Sequence, residues 1–165
     1  MCRYQVLFTE VFKGKDMKTI KLIHGYEAQV DDEDYVYLSQ FNWNYHKDRY
    51  TGYAINDKLV RMHRLIMQPP KGMVVDHIDG NGLNNCRSNL RICTNQENLC
   101  NKRKYKNNKS GFKGVSWRKQ CSKWRAYIQI NNKQKHLGYF KTAELAYEEY
   151  CKASKLYHKE FGRIK

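Results

Sequence analysis

Asp76 and His77 stand side by side in the run Val75-Asp76-His77-Ile78-Asp79-Gly80-Asn81, and Asn84, Asn85, Asn89 and Asn98 follow in the next stretch of chain. Imidazole titrates near neutrality, so it can take a proton from water at pH 7. Carboxylate and amide oxygens are hard ligands that suit Mg²⁺ or Mn²⁺, which keep several waters and take further ligands from a substrate. A base for water and a hard cation at the phosphate are what hydrolysis of a phosphodiester near neutral pH requires, the cation stabilising charge on the phosphate and on the leaving 3′ oxygen. Read from two residues alone, the same Asp-His pair is more readily a satisfied structural contact.

Successive strand residues point to opposite faces, so a strand carrying both Asp76 and His77 must kink or end there if both are to serve one site. A loop with Gly80 and Gly82 follows, and Thr94 caps a helix that carries Asn98 one turn inside it. The result is a strand, loop, strand, helix unit. Upstream, Met62 to Gln68 suits a short helix stopped by Pro69-Pro70. The first sixty residues read as strands at Tyr4 to Phe8 and Thr19 to Ile23, a helix Tyr35 to Gln40 opened by Asp31-Asp32-Glu33-Asp34, and a hairpin of Tyr50 to Ile55 with Lys58 to Met62 around Asn56-Asp57. The acidic run is read as satisfying a helix N-terminus in preference to holding a metal.

Asn101 to Ser110 is polar, basic and without period, as a linker is, and can also track phosphates. Three alternating runs follow, Gly114 to Lys119, Trp124 to Ile130 and Gln134 to Phe140, and then a helix capped by Thr142 whose apolar face is Ala143, Ala146, Tyr147, Tyr150 and Ala153. The fold class is therefore α+β. It comprises an N-terminal β-rich module at residues 1–60, the Asp-His unit at 61–102, a basic linker at 103–110 and a C-terminal three-stranded antiparallel sheet packed on one helix at 111–165.

The chain of 165 residues carries a formal charge of +15, distributed unevenly. Counting Lys and Arg against Asp and Glu, residues 1–60 hold 8 and 9, residues 61–98 hold 5 and 3, and residues 99–165 hold 18 and 4. The excess belongs to the C-terminal part, where a cationic surface attracts a polyanion through counterion release. Double-stranded DNA is the leading partner. The basic segment lacks the strong apolar face of a membrane-surface helix, and the base-stacking signature of a four-stranded RNA-binding sheet is not visible. The six Cys form no C-x-x-C pair, and Cys86, Cys93 and Cys100, seven apart, read as core sulfur. A soluble cytoplasmic monomer with reduced thiols, in a bacterial host cell or phage-encoded, is expected.

Residues 61–102 resemble an HNH homing endonuclease, the ββα-metal nuclease of phages and group I introns, through His63-Arg64-Leu65-Ile66, Asp76-His77-Ile78-Asp79-Gly80-Asn81, Asn84-Asn85, Ser88-Asn89-Leu90-Arg91 and Asn95-Gln96-Glu97-Asn98. The resemblance implies His77 as general base, Asp76 and Asn98 as ligands of one divalent ion, Mg²⁺ or Mn²⁺, and Asn89 as the catalytic-site brace of the hairpin. Asn98 stands where many members have His, so one carboxylate faces the ion. His63 is read as packing or as a phosphate contact. Residues 111–162 resemble the APETALA-type, ethylene-response-factor-like DNA-binding domain, through Gly111-Phe112-Lys113-Gly114-Val115, Lys123-Trp124-Arg125-Ala126, Leu137-Gly138-Tyr139-Phe140 and Thr142-Ala143-Glu144. That resemblance implies a sheet laid in the major groove, with Lys113, Trp117, Arg118, Trp124, Arg125, Tyr127, Gln129, Lys133 and Lys135 as candidate DNA contacts; Arg91 of the nuclease unit joins them. Trp124 and Tyr127 have an equal claim as core aromatics. Val30 to Tyr35, Trp43 and Tyr53-Ala54 resemble the β module that commonly precedes such nuclease segments. The expected function is a metal-dependent homing-type DNA endonuclease that nicks or cleaves a long, tolerant site; a DNA-binding transcription regulator with a decayed nuclease unit is the alternative.

Overall fold

The computed structural model describes residues 16–48, 51–104 and 107–164. The strand expected at Tyr4 to Phe8 lies outside them. Strands β1 (Met17–Lys21) and β2 (Glu27–Asp31) form an antiparallel pair, and the chain passes directly into helix α1 (Asp32–Leu38). The helix begins at the acidic run and not after it, because Asp32, Glu33 and Asp34 in its first turn face the positive end of the dipole. Strands β3 (Trp43–Lys47) and β4 (Gly52–Asn56) make the next antiparallel pair.

Of the hairpin expected around Asn56-Asp57 the turn and one antiparallel bridge form, but Lys58 to Met62 is not a strand. The Asn56 side chain instead accepts from the backbone N–H of Lys58 (3.1 Å) and Val60 (2.9 Å), and Leu59 takes φ +59. This tight turn allows a single bridge between Ile55 and Arg61 and then releases the chain into helix α2 (Met62–Met67). Gln68 closes α2 in the left-handed conformation, and Pro69-Pro70 forbid its continuation.

Strands β5 (Val74–His77) and β6 (Leu90–Cys93) pair antiparallel, with Asp76 opposite Arg91 and His77 opposite Leu90. Helix α3 (Asn95–Cys100) follows, fixed by a full capping box: the Thr94 hydroxyl accepts from the Glu97 N–H, and the Glu97 carboxylate accepts from the Thr94 N–H. One cluster of buried side chains runs from Ile20, Val30 and Leu38 through Trp43, Ala54, Met62 and Ile66 to Val75 and Leu90, so β1 to β6 share a core.

The C-terminal sheet has the order β7 (Val115–Arg118), β8 (Lys123–Ile130), β9 (Lys133–Phe140), all antiparallel, and helix α4 (Ala143–Tyr157) covers one face. Thr142 caps α4 through the Leu145 N–H, and Ala143, Ala146, Tyr150 and Ala153 are its buried face. Gly114 takes φ +73 with Tyr150 and the Tyr127 carbonyl so near that a Cβ has no room there. A 3-10 turn, Lys159–Phe161, then returns the chain towards β6 and α3. Among the described residues no helix is long and apolar enough to cross a membrane.

Candidate active site

Strand β5 ends at His77, and alternation sends the Asp76 and His77 side chains to opposite sides of it. Asp76 and His77 both line one cavity of about 400 Å³, together with Asn98 from α3 and Asn101 just beyond it. Asp76 is buried, and its carboxylate accepts from Arg91 Nε (2.9 Å) and Nη2 (2.7 Å) across the β5–β6 ladder. Asn101 donates to the same carboxylate (2.9 and 3.0 Å) and to the His77 carbonyl (2.8 Å). Asn101 is buried, and its amide ties the end of α3 to the end of β5.

His77 packs on the other side of β5. Its Nε2 meets Asn85 Oδ1 at 3.2 Å. Asn85 is fully buried, and its Nδ2 donates to the Leu83 carbonyl, an atom that can only accept. The oxygen of that amide therefore faces the ring, Nε2 carries the proton, and Nδ1 is left as the basic nitrogen. Burial lowers the His77 pKa, against the opposing pull of the Asn85 hydrogen bond and of Asp79 and Asp76, so the ring is neutral at neutral pH. His63 stands edge-on to His77 at 4.9 Å and to Tyr53 at 5.4 Å; burial pushes its pKa down to about 3, which makes it a neutral wall of the site.

The loop between β5 and β6 is stitched by Asn89. Its Nδ2 donates to Asp79 Oδ1 (3.0 Å) and to the Asn84 carbonyl (2.9 Å), and its Oδ1 accepts from the Asp79 N–H (3.1 Å). Burial would raise the Asp79 carboxyl, but donors from Asn81, Asn84 and Asn89 outweigh it and hold it below its usual range. Asn89 is therefore placed on the loop, and it is Asn85 that touches the His77 ring. Asn85 belongs to the Asn84-Asn85 pair picked out in the sequence, where no role falls to it, and Asn101 opens the polar stretch that reads as a linker. A single Asn carries no signature separating a buried brace from a surface turn residue.

The acids Asp31, Glu33 and Asp34 come together, but on Arg87. The Arg87 guanidinium donates to both Asp34 oxygens (2.8 and 2.7 Å) and lies 3.2 Å from Glu33, while its backbone N–H donates to Asp31 (2.8 Å). This clasp holds the 3-10 turn Arg87–Asn89, and with it Asn89, against α1.

The candidate DNA contacts divide by strand register. Trp117 pairs with Trp124, Lys135 with Ile128 and Lys133 with Ile130, on the face that packs against α4. Trp117 and Trp124 meet edge-on at 5.2 Å, and Lys135 Nζ meets the Tyr157 hydroxyl of α4 at 2.6 Å. Arg118, Arg125, Tyr127 and Gln129 share the opposite, open face with Lys123. Among the candidates, Arg118, Arg125, Tyr127 and Gln129 thus share one sheet face, and Trp117, Trp124, Lys133 and Lys135 lie on the other, where Trp117 is still 45% exposed. Lys113 turns inward, donating to the Cys100 carbonyl at 2.6 Å, and burial pushes its pKa down to about 8. Arg91 is spent on Asp76, on the Glu160 carbonyl (2.6 Å) and on the Phe161 ring (4.2 Å).

Residues 61–100, which hold α2 through α3, match the HNH endonuclease family. Protein 3.8 of Escherichia phage T7 is 46% identical over 65 residues, 39% of this chain and 54% of that protein. An uncharacterized HNH endonuclease of Acanthamoeba polyphaga mimivirus is 34% identical over 119 residues, 67% of this chain and 57% of that protein. The chain thus spans somewhat over half the length of these relatives. No solved structure matches it.

Proposed function

We propose that the chain is a metal-dependent DNA endonuclease of homing type, hydrolysing phosphodiester bonds by nicking or double-strand cleavage at a long, tolerant site. The observation that carries this reading is the convergence of Asp76, His77 and Asn98 on one cavity, with His77 held as the neutral imidazole whose Nδ1 is basic. In the reaction His77 Nδ1 takes a proton from water, the water oxygen attacks phosphorus, and the bond to the 3′ oxygen breaks; the departing oxygen is protonated from solvent.

Asp76 and Asn98 would hold one divalent ion, Mg²⁺ or Mn²⁺. The donor set fits: Asp76 Oδ1 accepts from Asn101 and keeps lone-pair capacity, Asn98 lines the same cavity, and carboxylate and amide oxygens suit a hard cation. Such an ion stabilises charge on the phosphate and on the leaving oxygen. Asn89 is the brace that keeps the β5–β6 loop, and so Asp79 and Asn85, in place.

The C-terminal unit acts as an APETALA-type DNA-binding domain that supplies affinity. Its support is the three-stranded sheet on one helix, the open row Arg118, Arg125, Tyr127 and Gln129, and the +14 carried by residues 99–165. The protein acts as a monomer on double-stranded DNA in the cytoplasm of the host cell. The test is nicking of supercoiled plasmid with Mg²⁺ or Mn²⁺ and with excess chelator. Conversion that stops in chelator while DNA binding persists supports the reading; conversion in chelator points to different nuclease chemistry, and binding without conversion under any ion points to the regulator with a decayed nuclease.

A further inference from the structure

The chain returns to the nuclease cavity after the C-terminal helix. Beyond the turn Lys159–Phe161, the backbone N–H of Arg163 donates to the Cys100 carbonyl (3.4 Å), and the Tyr147 hydroxyl donates to the Ile164 carbonyl (2.6 Å). These bonds anchor the tail between α3 and α4. The Arg163 side chain then reaches back over the β5–β6 loop, where Nη2 donates to the Asp79 carbonyl at 2.9 Å. Its Nη1 is shielded from solvent and has no hydrogen-bond partner. A buried guanidinium donor left unmade is costly, and native structures rarely keep one without a purpose.

A second guanidinium stands at the same place. Arg163 Nη1 lies 2.7 Å, and Arg103 Nε and Nη2 lie 3.5 and 3.6 Å, from the point a Cβ on Gly80 would occupy. Among the described residues neither arginine has a carboxylate partner: the Asp79 carboxylate is taken by Asn81, Asn84 and Asn89, and Asp76 by Arg91 and Asn101. Two like charges brought together at a cavity wall repel unless an anion joins them, and Asp76 in the same cavity is already engaged by Arg91 and Asn101. Gly80, at φ +72, is the residue whose lack of a side chain leaves room for both. Both arginines line the cavity that holds Asp76 and His77.

We propose that Arg163 and Arg103 form a phosphate-binding pair of the nuclease site, so that the tail of the C-terminal module supplies a DNA phosphate contact to the catalytic cavity. The planar forks match the oxygens of a phosphodiester and hold it beside His77. This rests on the endonuclease reading given above. It extends that reading, because the C-terminal module then contributes to the chemical step as well as to affinity.

The test uses the full chain and two readouts. In the first, single-turnover nicking at saturating plasmid is compared among wild type, Arg163→Ala and Arg163→Lys, with circular dichroism and thermal melting to confirm folding. Arg163→Ala is expected to lower the rate about 10- to 100-fold, with the affinity for a labelled duplex changing only a few-fold and with partial recovery in Arg163→Lys. An unchanged rate overturns the proposal. In the second, the Arg163 and Arg103 side-chain N–H resonances, assigned by their loss in the Ala variants, are followed in chelator as a short DNA duplex is added. Both are expected to shift. If they stay still while other signals move, the pair does not bind phosphate, whether or not the protein cuts DNA. If they shift and the wild type never nicks, the endonuclease reading fails and the phosphate site stands.

Discussion

At His77 the choice of basic nitrogen is made by a side chain eight residues away, since the Asn85 amide can present only its oxygen to the ring once its nitrogen is committed to the Leu83 carbonyl. His63 gives the same pocket a testable pH dependence. Its folded pKa of about 3 lies below the ordinary value of 6.5, so the folded state favours the neutral ring and the unfolded chain takes up the extra proton. The contribution of His63 to stability is complete above 6.5 and is lost progressively as pH falls from 6.5 towards 3. Between pH 7 and pH 5 the wild type should lose roughly 1–2 kcal/mol more than His63→Gln in urea unfolding. Parallel losses in the two proteins would show that His63 is not held neutral by the fold. Asp76 and His77 were legible in the sequence because acid, imidazole and hard-oxygen ligands form a recognisable chemical set. The roles of Asn85 and Asn101 were not, since they depend on which groups lie opposite their amides.

At the level of elements, the strand end at His77 and the capping box of α3 place the candidate ligands; the cap was readable from Thr94 and the loop from Gly80 and Gly82. The β3–β4 pair was hidden because Trp43 to Lys47 has no clean alternation, while the turn at Asn56-Asp57 looked like a hairpin and is closed by a side chain instead. The Arg87 clasp was also hidden, because it joins residues more than fifty positions apart. Asp34→Ala removes the two Asp34 oxygens that Arg87 grips; Glu33 stays at 3.2 Å and the guanidinium is already about 39% exposed, which softens the penalty. A cost of about 1–2 kcal/mol in urea unfolding is expected, together with lower nicking activity because Asn89 is carried on the clasped turn. Unchanged stability would mean the clasp is a surface contact without energetic weight.

Across the whole molecule, charge and chemistry are separated in sequence but joined in space. The basic C-terminal part, visible at once as +14 over residues 99–165, sends Glu160, Phe161 and Arg163 back to β6 and the β5–β6 loop, a return that no local pattern in the sequence announces. The open sheet face should dominate the salt dependence of DNA binding. The triple variant Arg118→Ala, Lys123→Ala, Arg125→Ala should flatten the slope of log K against log salt by up to about 0.9 for each phosphate that the substitutions leave unneutralised, whereas Lys135→Ala, tied to α4, should leave it nearly unchanged. Equal effects would place the DNA elsewhere. The central claim, that His77 is the base of a phosphodiester hydrolase, is tested most directly by single-turnover nicking of supercoiled plasmid by wild type and His77→Ala, at saturating DNA with Mg²⁺ or Mn²⁺ present. The account predicts a rate about 10²- to 10⁴-fold lower for His77→Ala, with duplex affinity nearly unchanged; equal rates for the two proteins would contradict it.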